Sequence, residues 1–222
     1  MTTPGSPSSS APSSPAAASL SLEHRFVAGD PSAPVVLALH GTGGSPEDLM
    51  ELARYLQPGA GVLAPAGPVS EHGAARWFRR LAEGVFDVDD VIARTHQLAE
   101  FVVAARQAYA LGDRRIIALG FSNGANIAAA TVLLRPDVLR EAVLFAAMMP
   151  VPDPPDHDLS VSRIFLANGT RDPMAPLDSV VRLERALLAR SVQVQVFRHD
   201  GGHQIPLDAA AAAREWVGTP GE

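Results

Sequence analysis

Residues 114–134 read RRIIALGFSNGANIAAATVLL. Ile116–Leu119 is a short apolar run rich in β-branched side chains, the texture of a strand buried on both faces. Ala125–Leu134 has the length and composition of a helix. Between them stands Gly120-Phe121-Ser122-Asn123-Gly124, which matches G-x-S-x-G. Five residues alone are a weak signal; a strand directly before and a helix directly after make it specific. A turn that sharp holds its central residue in a strained backbone conformation and lifts its hydroxyl clear of the sheet. A side chain two positions to either side would clash, which accounts for both glycines. Ser122 is therefore the candidate nucleophile.

Working outward, the same alternation of strand and helix repeats along the chain. Pro34–Leu39 (PVVLAL) reads as a buried strand that ends in the glycine-rich turn His40-Gly41-Thr42-Gly43-Gly44. Ser45-Pro46-Glu47-Asp48 looks like a helix start, with Ser45 as N-cap and Pro46 at the first helical position. Gly61–Ala64 is a short strand closed by Pro65. Within a helix expected over Val88–Ala110, Leu98, Phe101, Val102, Ala105 and Tyr109 fall on one face. Strands are expected at Ala142–Ala146, Val161–Ala167 and Val192–Phe197, the last alternating as a half-exposed strand near a sheet edge. Helices are expected over Pro176–Ala189 and Leu207–Val217. This order predicts an α/β class with a mainly parallel sheet covered by helices on both faces. No insertion is long enough for a lid domain.

A serine hydroxyl needs a base, and the base needs an orienting acid. In strand–turn–helix serine sites the acid and then the base follow the serine along the chain. Three histidines follow Ser122. His157 has no strand before it, whereas His199 and His203 both follow the Val192–Phe197 strand. His203, after Gly201-Gly202 and before the last helix, is preferred to His199. Asp172, in the turn after Val161–Ala167, is preferred as the acid to Asp178, which the helix dipole explains better. The oxyanion needs two backbone N–H donors. Asn123 supplies one, and Thr42, with Gly43 as the alternative, supplies the other.

The 222 residues carry a formal net charge of −6, with no run of Lys or Arg, which argues against a nucleic acid partner. With no cysteine, disulfides, thiolate metal sites and a cysteine nucleophile are excluded. No apolar stretch is long enough to span a membrane. Residues 1–19, rich in Pro, Ser and Ala, are expected to form a disordered tail. They lack the positive charge and apolar run of a signal peptide, and a cytoplasmic location is expected. One domain is expected over 20–222. Asp153, Asp156, His157 and Asp158 read as a solvated, proline-stiffened loop and not a metal site. Asp87, Asp89 and Asp90 read as acids at a helix N-terminus.

Five segments together resemble one known family: L-H-G-T-G-G at 39–44, R-W-F at 76–78, G-F-S-N-G-A-N-I-A at 120–128, R-D-P-M-A-P at 171–176 and G-G-H at 201–203. This is the small phospholipase/carboxylesterase family, which includes acyl-protein thioesterases and bacterial carboxylesterases. The resemblance covers about 21–218 and looks closest to the bacterial carboxylesterase branch, because the thioesterase branch usually has Gln after the serine. It implies an α/β-hydrolase fold, no cofactor, no metal, a Ser122–Asp172–His203 triad and Thr42 as the first oxyanion donor. Met174-Ala175-Pro176 departs from the Val-Pro pair common in the family, a change that falls on the pocket wall.

The expected activity is hydrolysis of short- to medium-chain carboxylic esters through an acyl-enzyme. Gly43, Trp77, Phe78, Met148 and Met149 are expected to line the substrate pocket, with core packing as the alternative for Met148. A thioesterase or lysophospholipase, another hydrolysis on the same triad, and a binding protein on an inactive hydrolase scaffold are the competing readings. The expected partner is a small-molecule ester, and a homodimer is compatible with the sequence.

Overall fold

The computed structural model describes residues 20–219. The tail expected at 1–19 lies outside the described residues. In chain order the elements are β1 (His24–Val27), β2 (Val35–Leu39), α1 (Met50–Leu56) and β3 (Gly61–Pro65), then β4 (Val69–Glu71), β5 (Ala74–Arg76), β6 (Arg80–Ala82) and β7 (Val85–Phe86). They continue with α2 (Val88–Ala108), β8 (Ile116–Phe121), α3 (Asn123–Leu134), β9 (Glu141–Phe145), β10 (Arg163–Gly169), α4 (Leu177–Leu188), β11 (Gln193–His199) and α5 (Leu207–Gly218).

Seven strands form one sheet in the order β1-β3-β2-β8-β9-β10-β11. Every pair from β3 to β11 is parallel, and only β1, on β3, runs antiparallel. Period-two alternation sends successive side chains of each central strand to opposite faces. Leu37, Ala118, Leu144 and Leu166 join a core under α2, α3 and α4. Ala38, Leu119, Val143 and Phe165 join a second core under α1 and α5. This is why these strands read as unbroken apolar runs: both of their faces are covered. A large apolar side chain fully buried this way contributes roughly 1.5–3 kcal/mol. The sheet class, the helices on both faces and the edge position of β11 are as the sequence predicts.

Three local features differ from the sequence reading. The helix after the glycine-rich turn begins at Met50, not at Pro46. Ser45 does not cap it, because its Oγ donates to Asp48 Oδ1 at 2.6 Å inside a preceding turn. The strand β1 was not expected; its residues HRFV are short and half-exposed in alternation. Residues 69–86 form two hairpins, β4–β5 and β6–β7, where the sequence showed no clear pattern.

Candidate active site

Ser122 sits between β8 and α3 with φ 53° and ψ −115°. A non-glycine residue at positive φ is uncommon, and such strain costs of order 1–3 kcal/mol. The surroundings hold it: Ser122 N donates to Phe145 O at 2.9 Å, and Asn126 N donates to Ser122 O at 2.9 Å. Gly124 is required by close approach, since a Cβ there would lie 1.9 Å from the Leu39 carbonyl oxygen. The elbow is thus wedged against the end of β2.

The other candidate residues follow the carboxyl ends of neighbouring parallel strands, where ligand sites of open α/β sheets form. Asp172 follows β10 and His203 follows β11. His203 Nδ1 lies 2.7 Å from Asp172 Oδ2, and His203 Nε2 lies 2.9 Å from Ser122 Oγ. An ionised Asp172 can only accept, so His203 carries its proton on Nδ1 and Nε2 accepts from the serine hydroxyl. The Asp172 side chain is wholly buried, and its Oδ1 accepts from Met174 N at 2.8 Å and Ala175 N at 3.0 Å. Both carboxylate oxygens are therefore occupied, which fixes the plane against which the imidazole is held. The acid and base loops are also stapled to each other. Thr170 N donates to His199 O, Arg171 N donates to Gly201 O, and a Cβ on Gly169 would lie 2.3 Å from Gly201 O. The side chains of the two competing candidates lie outside the Ser122–His203–Asp172 contacts. His199 accepts from Gly201 N, and Asp178 is exposed in the first turn of α4.

Thr42 and Asn123 line the same small cavity as Ser122, of about 220 Å³. Neither backbone N–H has a hydrogen-bond acceptor among the described residues, so both remain available to an oxyanion. Gly43 N is already committed, donating to Ala75 O at 2.8 Å. That removes Gly43 as the alternative donor.

Strand β5 and the residue after it tie these pieces together. Arg76 Nη1 donates to Thr42 Oγ1 at 3.1 Å, and Arg76 Nε donates to Phe78 O at 3.2 Å. Trp77 N donates to Asn123 Oδ1 at 2.7 Å, and Trp77 Nε1 donates to His40 O at 2.9 Å. Ala75, Arg76 and Trp77 thus bond to the loop after β2 and to the residue after the serine. Arg76 is buried, and burial pulls its pKa below the ordinary arginine value while Glu71, 3.3 Å away, opposes the pull. Sequence reasoning missed Arg76 as a site residue, although the R-W-F segment contains it. A charged side chain beside two large apolar ones was the available signal.

Three of the expected pocket residues need correction. Trp77 and Phe78 are 1% and 0% exposed and line neither the serine cavity nor its larger neighbour; they are core residues, Phe78 packing edge-on against Phe86. Phe86, Gly84, Arg80 and Asn126 line the serine cavity instead. Gly43 is likewise absent from the lining. Met148 lines both the serine cavity and a larger neighbour of about 570 Å³, and Met149 lines only the larger one. Met148 is held in place by its own N–H, which donates to Asn126 Oδ1 at 2.7 Å. Asp87 caps α2, accepting from Asp90 N, in keeping with the reading of the 87–90 acids. Among the described residues no group of three acidic or histidine side chains is arranged to hold a metal ion, and no helix is long and apolar enough to cross a membrane.

The profile of the family described as phospholipase/carboxylesterase matches residues 26–219. MhqD of Bacillus subtilis strain 168, whose name carries only a provisional hydrolase assignment, is 40% identical over 182 residues, 82% of this chain and 91% of that protein. The crystal structure of a Bacillus cereus carboxylesterase superposes with a TM-score of 0.87 at 38% identity, covering 90% of this chain and 94% of that one. A carboxylesterase from Mesorhizobium loti gives a TM-score of 0.85 at 28% identity, covering 91% and 97% of the two chains.

Proposed function

The chain belongs to the phospholipase/carboxylesterase family of α/β-hydrolases, and from that premise we propose that it is a serine carboxylesterase acting on short- to medium-chain carboxylic esters. The observation that carries the reading is the unbroken relay from Ser122 Oγ through His203 to the buried Asp172 carboxylate, at 2.9 and 2.7 Å. Both distances lie within hydrogen-bond reach for proton transfer.

His203 Nε2 takes the proton of Ser122 as Oγ attacks the ester carbonyl carbon. Asp172 holds the ring in the required tautomer and stabilises the imidazolium that forms. The Thr42 and Asn123 N–H groups receive the negative charge on the former carbonyl oxygen. Collapse breaks the carbon–oxygen bond to the alcohol, which leaves with the proton from His203. Water then attacks the acyl-enzyme, giving its proton to His203. As the bond from carbon to Oγ breaks, that proton returns to Ser122 and the acid is released.

The small cavity at the serine supports short acyl groups, and the larger cavity beside it, which shares Gly84, Phe86 and Met148 as lining, supports chains of medium length. The test is a series of p-nitrophenyl esters from acetate to palmitate, with Ser122→Ala as control. Activity should peak below laurate and vanish with Ser122→Ala, by at least about a thousandfold. A rate that climbs steadily beyond laurate contradicts the chain-length reading. A variant that retains wild-type activity contradicts the mechanism.

A further inference from the structure

The larger cavity beside the serine site has an apolar floor and a cationic wall. It meets the serine cavity at Gly84, Phe86 and Met148, which line both. Its lining includes a stripe of α4 and the turn after it, carrying Arg182, Arg185 and Arg190. Against these three guanidiniums stands one carboxylate in the lining, Asp153. The chain as a whole is acidic, at −6, so this concentration of positive charge runs against the average.

The arginines are not neutralised locally. Arg190 is fixed by carbonyls, with Nε donating to Pro155 O at 2.7 Å and Nη1 to Ala186 O at 3.0 Å, and Nη2 to Pro154 O. Those bonds orient the group and leave its charge uncompensated. Arg182 and Arg185 pair with no carboxylate among the described residues. The acid nearest them in sequence, Glu184, points the other way and accepts from Arg198 of β11 at 2.7 Å. A guanidinium fork matches carboxylate and phosphate oxygens, and Arg182 and Arg185 are exposed, so both forks are open to a ligand in the cavity they line.

We propose that this cavity is a subsite for an oxyacid group, a carboxylate or a phosphate, carried by the ester at a distance from the scissile bond. The substrate class is then an amphiphilic ester: an apolar spacer lies over Phe86 and Met148, and its anionic end meets Arg182 and Arg185. The proposal rests on the esterase reading for its link to Ser122.

The experiment compares matched esters. In one arm, p-nitrophenyl half-esters of dicarboxylic acids are set against p-nitrophenyl esters of monocarboxylic acids of equal chain length. In the other, acyl esters of glycerol phosphate are set against those of glycerol. The expected result is a kcat/KM ratio of anionic to neutral ester of about tenfold in at least one arm, shrinking as salt is raised. The arm that responds separates carboxylate from phosphate. In Arg182→Ala/Arg185→Ala the ratio should fall to near unity. A ratio at or below one in both arms overturns the proposal, as does a preference that the double variant keeps. Binding removes the dependence on turnover. Monomethyl adipate is titrated calorimetrically into Ser122→Ala, with and without the two arginine substitutions. Weaker binding in the arginine-substituted protein supports the subsite, even if no ester is cleaved and the esterase reading has failed. Equal binding overturns the subsite whatever the activity.

Discussion

The stretch from β8 through α3 and the segment between β3 and α2 both line the serine cavity, but they are built by different rules. The first is a strand and a helix buried on nearly every side, and it positions Ser122 through covalent geometry and close backbone approaches at Gly120 and Gly124. The second is two short hairpins with exposed tips, Leu81 at 73% and Val85 at 50% among them. Yet its inner residues, Arg76 and Trp77, reach Thr42 in the loop after β2 and Asn123. In the proposed mechanism the nucleophile stands on rigid elements, and a less regular segment braces the groups that would receive the charge. The difference separates chemistry from support, and each can be perturbed on its own.

The largest effect should come from the chemistry side. Asp172→Asn keeps the shape of the side chain but stabilises the wrong imidazole tautomer, and kcat should fall about ten-thousandfold. Steady-state kinetics beside a thermal melt reads this out. A loss smaller than about tenfold means that another acid orients His203.

Next comes the support side. Arg76→Ala frees the Thr42 hydroxyl and unties the loop, so kcat should drop about a hundredfold while KM moves little. Arg76→Lys, which keeps the charge but loses the fork, should recover part of kcat. If Arg76→Ala lowers the melting temperature and leaves kcat intact, the hairpin segment is only a cover, and the contrast drawn above breaks.

The smallest effect should fall on the tip of the β6–β7 hairpin. Leu81→Ser should change stability by less than about 0.5 kcal/mol in urea unfolding, because the side chain is already in water. A larger loss would show that the tip packs against something that its exposure does not reveal.

The same contrast explains what was legible in the sequence. Val35–Leu39, Ile116–Leu119 and Ala142–Phe145 announce themselves because strands covered on both faces must be apolar throughout. The meeting of Ser122, Asp172 and His203 was legible because strand ends and glycine turns mark where loops begin. The hairpins at 69–86 were not, since strands of two or three residues have no period to detect. Trp77 was misread for a related reason: an aromatic residue in a loop gives no sign of its direction, and here the indole turns inward to His40 O. The start of α1 shifted because Ser45 and Asp48 bond to each other, a local choice that competes with capping.

The central claim is that Ser122 is an activated nucleophile. The direct measurement is reaction of the folded protein with a fluorophosphonate, followed by peptide mass spectrometry. The account predicts a single adduct on Ser122, forming quickly in the wild type and far more slowly in His203→Ala. No adduct, or an adduct on a different residue, would contradict it.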